Sequence, residues 1–286
     1  MFKSGELVIR KSYGGDIVFR IQSFENGLAV LRGVEYRLLA DAPLSDIQRI
    51  EDIGAHRGTV ESRMKTRETA KRMEMFRNLQ REKQENALNI SGKQPGKPPF
   101  FELPGKVLHL DGDPAYLRKS MQVYSELLIP AEGHFVQEAN MPEALYRLLP
   151  AVKPDIVVIT GHDGLLKRRK EGQVHDLYSY KNSINFAKAV GIARHYERNR
   201  DLLTVIAGAC QSHFEALLQA GANFASSPKR ILIHALDPVY IAAKVAYTPI
   251  KETINIYDVI SHTISGMQGL GGIESKGSYR IGMPRW

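Results

Sequence analysis

The chain of 286 residues holds one cysteine and one tryptophan. A single thiol excludes an internal disulfide framework, so a buried core must hold the fold. No apolar run approaches the 18 or so residues that a membrane span needs. The polar start Met1-Phe-Lys-Ser-Gly-Glu6 is unlike a signal peptide, so the chain is expected to stay in the cytosol of the cell that makes it. The length suffices for one large and one small domain without structural metal, and neither metal nor cofactor is expected.

The net charge of +8 asks for an acidic partner or a solvated basic surface. Between Glu51 and Lys97 there are 11 Lys or Arg against 7 Asp or Glu, so half of the excess lies in one sixth of the chain. Acids are interspersed and aromatics nearly absent there, which favours a solvated helix over a nucleic-acid grip. Thr59 to Leu88 lacks Gly and Pro, and Val60, Met64, Met73, Phe76 and Leu79 give it a thin apolar stripe, so an exposed helix or arm is expected. Asn89 to Gly105 is rich in Pro and Gly and reads as a linker.

These breaks divide the chain into residues 1–50, 51–105 and 106–286. The first reads as short strands, Leu7–Arg10, Ile17–Ser23, Leu28–Arg32 and Tyr36–Ala40, with an Asn26-Gly27 hairpin turn. A small SH3-like β-barrel is expected. The last alternates strands and helices: Lys106–Leu110, then Asp113 as N-cap before Pro114; Glu132–Gln137; a helix capped by Asn140 and Glu143; a strand ending at His162; a helix over 182–197; Leu202–Ala207; and Ile231–Ala235 before Asp237-Pro238. That alternation implies an α/β fold, a three-layer α/β/α sandwich around a mainly parallel sheet. The tail from Gly266 to Pro284 holds Gly269, Gly271, Gly272, Gly277 and Gly282 and is expected to be a loop folded over the sheet edge.

The lone Cys210 falls where the Leu202–Ala207 strand turns into a helix, whose Ser212 and Glu215 have capping-box spacing. The carboxyl edge of a parallel sheet is where open α/β folds place ligands, and helix-start N–H groups there favour a thiolate. A lone cysteine is more often a small buried hydrophobe. A second apolar run, Pro154-Asp-Ile-Val-Val-Ile-Thr-Gly-His162, ends in a glycine-flanked histidine and reverses that weighting. Two neighbouring strands that release His162 and Cys210 at one edge give a dyad layout. The two lie 48 residues apart, near the spacing of about 50 in caspases. His175, His213 and His234 compete as the base.

The order of apolar strand, His, helix, apolar strand and Ala-Cys resembles the caspase, gingipain and clostripain group of cysteine peptidases. With Lys-Val-Leu-His-Leu-Asp-Gly-Asp (106–113), Ile-Thr-Gly-His-Asp (159–163), Ala-Gly-Ala-Cys-Gln-Ser-His-Phe-Glu (207–215) and Ala-Gly-Ala-Asn-Phe-Ala-Ser-Ser-Pro (220–228), the chain also resembles the YabG family of sporulation-specific peptidases. The resemblance runs nearly end to end and is weakest between about 51 and 100. It implies a caspase-like fold and a cysteine endopeptidase in which Cys210 attacks the scissile carbonyl, His162 protonates the leaving amine, and the backbone N–H groups of Cys210 and Asp163 hold the oxyanion. Asp163 stands where the wider group usually has glycine. The resemblance further implies cleavage after arginine in spore coat and cortex-associated proteins, first in the mother-cell cytoplasm and then at the coat. It places the carboxylate that reads arginine at the end of the first sheet strand. There Asp111 is preferred, because Asp113 caps a helix and Gly112 lets a substrate backbone approach; Asp163 and Glu274 are alternatives. Autocleavage at the arginines between about 57 and 83 is expected.

Two other classes compete. A glutamine-amidotransferase-type hydrolase would use a nucleophile elbow, but Gly208-Ala-Cys-Gln-Ser212 lacks the elbow's final glycine. A nucleic-acid-binding module would pair the small barrel and basic arm with a non-catalytic α/β domain.

Overall fold

The computed structural model describes residues 1–52, 54, 56–87, 100–166 and 174–283. Most of the linker expected over 89–105 lies outside the described residues.

Five strands, β1 (Leu7–Arg10), β2 (Val18–Glu25), β3 (Leu28–Gly33), β4 (Leu39–Pro43) and β5 (Ile47–Arg49), form one antiparallel sheet in the order β4-β3-β2-β1-β5. Strict alternation of buried and half-exposed residues along β3 puts Ala29 and Leu31 against Val8, Phe19, Ile21, Ala42 and Ile47 in a small core. Asn26 and Gly27 both have positive φ, 49° and 77°, as the tight turn between β2 and β3 demands. The fourth strand begins at Leu39 rather than Tyr36, because residues 34–38 leave this sheet to pair elsewhere.

Helix α1 (Arg57–Ala87) is continuous but not the exposed arm that its composition suggests. Met73 is buried in the core of the larger domain, with Phe76 packed against it, and Thr59, Ser62, Thr69 and Gln80 are also buried. Polar residues thus form much of the docked face, which is why an apolar stripe understates the contact. Val60, Met64 and Leu79 remain exposed.

The larger domain contains β6 (Phe101–Leu103), β7 (Val107–Asp111), α2 (Pro114–Glu126), β8 (Ala131–Phe135), α3 (Met141–Val152), β9 (Ile156–Thr160), α4 (Ser183–Tyr196), β10 (Thr204–Ala207), α5 (Phe214–Ala220), β11 (Phe224–Ser226) and α6 (Asp237–Tyr247). It closes with β12 (Thr253–Ile254), α7 (Ile256–Ser261), α8 (Gly266–Gly269), β13 (Leu270–Gly272), β14 (Ser275–Lys276) and β15 (Arg280–Gly282). Six strands run in the order β13-β11-β10-β9-β7-β8, parallel except for β13.

Every residue of β7, β9, β10 and β11 is buried, as strands covered on both faces require. Alternate residues serve opposite layers: Val107, Ile156, Val158 and Ile206 face Tyr124 of α2 and the wholly buried α6, whereas Leu108, Val157, Ile159 and Val205 meet α3, α4 and Leu217 of α5. Each such aliphatic side chain contributes about 1.5–3 kcal/mol on burial.

Two expectations need correction. Ile231–Ala235 is not a sheet strand; the fifth parallel strand is β11, and residues 233–235 pair instead with residues 35–37 of the small domain. The glycine-rich tail is not a bare loop, since Leu270–Gly272 adds an antiparallel edge strand. Gly272 fits there because a Cβ would stand 2.5 Å from the Asn223 carbonyl oxygen.

Candidate active site

Strands β9 and β10 pair in register from Ile156↔Thr204 to Ile159↔Ala207, so both chains leave the sheet at the same edge. The exits are tied together. Gly208 donates its N–H to the Ile159 carbonyl at 3.0 Å, and the Thr160 hydroxyl donates to the Gly208 carbonyl at 2.9 Å. Gly208 has φ +109°, and a Cβ would meet Ser226 Oγ at 2.6 Å, so the turn into Ala209-Cys210 requires glycine.

Asp163 fastens the two loops. Its carboxylate accepts from Ser212 Oγ at 2.9 Å, from the Asn182 N–H at 2.8 Å, and from Ser183 Oγ. Burial raises its pKa despite these donors. The side chain is therefore a structural clasp, already occupied. Ser212 also accepts from the Ala209 N–H at 2.9 Å, so it braces the Cys210 turn instead of capping α5, whose N-cap is His213. Glu274 is exposed on the loop after β13.

His162 is oriented from two sides. Its backbone N–H donates to Glu138 Oε1 at 2.8 Å, and its Nε2 lies 3.0 Å from Asp113 Oδ2. A carboxylate at Nε2 holds the proton there and leaves Nδ1 as the basic nitrogen; Nδ1 is buried and has no partner. Asp113 does cap α2, accepting from the Ala115 and Tyr116 N–H groups, but Oδ2 serves the histidine, with Arg32 Nε 3.0 Å away. Burial works to raise the Asp113 pKa, but the His162 hydrogen bond and the Ala115 N–H bring it below the ordinary value. Gly112 makes room for Glu138 and not for a substrate backbone: a Cβ there would sit 2.2 Å from Glu138 Oε1, and one at Gly161 2.5 Å.

Cys210 is 1% exposed. Its sulfur accepts from the Ile233 N–H at 3.2 Å, and burial pushes the thiol up to about 12, against smaller opposing contributions from Ile233 and Arg37. The resting group is thus a thiol, contrary to the thiolate expected from a helix start; α5 begins four residues later, at Phe214. Among the described residues, the backbone N–H groups of Cys210 and Asp163 donate to no protein acceptor. Of the competing histidines, His213 caps α5 and contacts the His175 carbonyl, His234 Nδ1 accepts from the Leu236 N–H, and His175 is exposed.

Asp111 is completely buried at the end of β7, where it binds a guanidinium bidentately. That guanidinium belongs to the chain's own Arg37, both nitrogens donating at 2.9 Å. Burial alone would raise the Asp111 pKa; Arg37 holds it well below the usual carboxylate range. Tyr116 stands between the two halves of the site, its ring 5.9 Å from that of His162 and 5.0 Å from the Arg37 guanidinium.

A family model described as YabG peptidase U57 matches residues 3–284. The chain belongs to the YabG peptidase family. It is 43% identical over 288 residues to the sporulation-specific protease YabG of Bacillus subtilis strain 168, covering 99% of this chain and 98% of that one. No solved structure matches it. As a YabG-family protein it is a peptidase, a hydrolase of peptide bonds. Among the described residues no helix is long and apolar enough to cross a membrane. Sequence reasoning missed Asp113 as the partner of His162, Glu138 as its backbone anchor, and Arg37 as the partner of Asp111. Of these only Asp113 left a trace, as the second acid of Asp-Gly-Asp at a strand end.

Proposed function

We propose that this YabG-family peptidase is a cysteine endopeptidase that cuts on the carboxyl side of arginine, with Cys210 as nucleophile and His162 as acid and base. The observation that carries this reading is the buried, unpartnered His162 Nδ1, held by Asp113 at the strand end next to that of the lone cysteine. With substrate bound, the thiol gives its proton to Nδ1 and the sulfur attacks the scissile carbonyl. The imidazolium then protonates the leaving amine, and water, deprotonated by the same nitrogen, hydrolyses the thioester. The free N–H groups of Cys210 and Asp163 serve as oxyanion donors, each worth on the order of 10²–10³ in rate. Asp111 reads the arginine, since bidentate pairing is a geometry that lysine does not match.

The proposed substrates are spore coat and cortex-associated proteins, met first in the mother cell and later at the coat. The amidotransferase and nucleic-acid readings have no comparable support, because the chain belongs to a peptidase family and α1 is docked by one face. Arginyl and lysyl reporter peptides test the proposal. Cys210→Ala and His162→Ala are expected to abolish cleavage with the fold retained, and His213→Ala to keep most activity. Wild-type cleavage by His162→Ala together with an inactive His213→Ala overturns the dyad.

A further inference from the structure

The segment Val34–Leu38 leaves the small sheet and lies across the site. It runs antiparallel to residues 233–235: the Arg37 N–H donates to the Ile233 carbonyl at 3.4 Å, the Ala235 N–H donates to the Glu35 carbonyl at 2.9 Å, and Tyr36 bridges His234. Tyr116 Oη reaches the carbonyls of Gly33 and Tyr36, at 2.6 Å each. Strand addition of this kind is how an extended peptide binds. The partner strand carries Ile233, whose N–H holds the Cys210 sulfur, and the Arg37 N–H faces that sulfur too. Beyond Arg37, Leu38 and Leu39 line one cleft with Gln211 and Leu232. The Arg37–Leu38 bond therefore passes beside the nucleophile while the Arg37 side chain fills the Asp111 site.

An ion pair that only joined two domains would need neither the strand pairing nor the thiol. Such a buried pair is also no better for stability than a well-packed apolar contact. Side chain in the carboxylate site, backbone paired as a strand and adjoining bond at the cysteine are together the features of a bound arginyl substrate. We propose that Arg37–Leu38 is a self-processing site, with residues 34–38 as a built-in substrate that blocks the cleft until it is cut. This rests on the peptidase reading above and adds the first bond that the enzyme cuts. In the reaction the Cys210 sulfur bonds to the Arg37 carbonyl carbon and the carbon–nitrogen bond to Leu38 breaks. Leu38 leaves as an amine, taking the thiol's proton through His162, and water hydrolyses the thioester to the Arg37 carboxylate and the free thiol. β3 and β4 stay paired across the nick from Leu28↔Pro43 to Arg32↔Leu39, so the fragments remain together until denatured.

Intact mass and N-terminal sequencing of the denatured full chain test this. Wild type is expected to yield residues 1–37 and 38–286 at a first-order rate independent of concentration, whereas Cys210→Ala stays whole. Added wild type is expected to leave the 37–38 bond of Cys210→Ala intact, because Arg37 is fully buried. Arg37→Lys keeps a charge opposite Asp111, so folding is retained, and slows the cut about tenfold or more by losing the bidentate pair. Wild type that cuts arginyl reporters while its Arg37–Leu38 bond stays whole, or that nicks itself only within α1, overturns the inference and leaves the proposed function standing. Wild type that cuts neither reporter nor itself sinks both.

Discussion

The two larger sheets follow one burial rule with different results. In the parallel sheet helices cover both faces and the inner strands are apolar end to end, so the chemistry is pushed to the carboxyl edge where the strands stop. In the antiparallel sheet buried and half-exposed residues alternate and the core is small. Yet β3 supplies Arg32 beside Asp113, and the segment between β3 and β4 supplies Arg37, which is buried as completely as its partner Asp111. The difference teaches a division of labour for the proposed function: the parallel sheet carries Cys210 and His162 at its edge, while the segment beside the antiparallel sheet brings the guanidinium that Asp111 holds.

The strongest way to break this division is within the larger domain alone. Asp113→Asn keeps a helix cap, since asparagine caps nearly as well, but weakens the hold on the His162 imidazolium. The expected outcome is a fall in kcat on arginyl reporters of roughly 10²–10⁴-fold with little change in urea midpoint. The capping role alone would give only a mild effect.

Breaking the junction acts on stability instead. Asp111→Ala leaves the Arg37 guanidinium buried and unpaired, and a loss of about 3–5 kcal/mol is expected in urea unfolding. A loss below about 1 kcal/mol would mean that Arg37 swings out to water and that the two domains are coupled only loosely.

Acid sharpens the same contrast. The folded-state pKa of Asp111 is depressed, so its contribution is full above the unfolded value of about 3.9 and is lost as pH falls below it. The Asp163 shift has the opposite sign: its protonation, in the window just above about 3.9, adds stability as pH falls. Below that window the wild type is expected to lose stability more steeply than Asp111→Asn, by up to about 1.4 kcal/mol per pH unit. Equal acid limbs would show that Asp111 is not charged in the fold.

A contrast between two methionines of one helix tests α1, which packs against the core of the larger sheet, and ends on a change of almost nothing. Met73→Ala removes a buried side chain and is expected to cost about 2–5 kcal/mol, whereas Met64, exposed on the same helix, should tolerate alanine within about 0.5 kcal/mol. Similar losses at both would place a buried face where the structure shows solvent.

The apolar runs at 106–110, 154–160 and 202–207 announced three strands, and the Asp-Pro start of α2 was legible, because burial of both sheet faces and helix capping leave local patterns. For the same reason His162 and Cys210 could be placed at strand ends. Residues 231–235 misled: β-branched and apolar, they read as a strand, but the partner that they pair with is Glu35–Arg37 and not the sheet. The docked face of α1 was hidden because Thr59, Ser62, Thr69 and Gln80 bury polar side chains that periodicity does not count.

By itself the sequence determined the α/β alternation, the run of short strands ahead of it that forms a separate antiparallel sheet, and which strand ends carry a thiol and an imidazole, all set by interactions between near neighbours in the chain. Only the tertiary structure decided that Asp113 holds His162, that Asp163 clasps the loops that carry His162 and Cys210, and that Asp111 meets a guanidinium from the segment between β3 and β4. The Arg37–Asp111 pair spans 74 residues, and no local propensity encodes it. It exists because docking the two cores removes water from both charges at once, leaving each as the other's compensation.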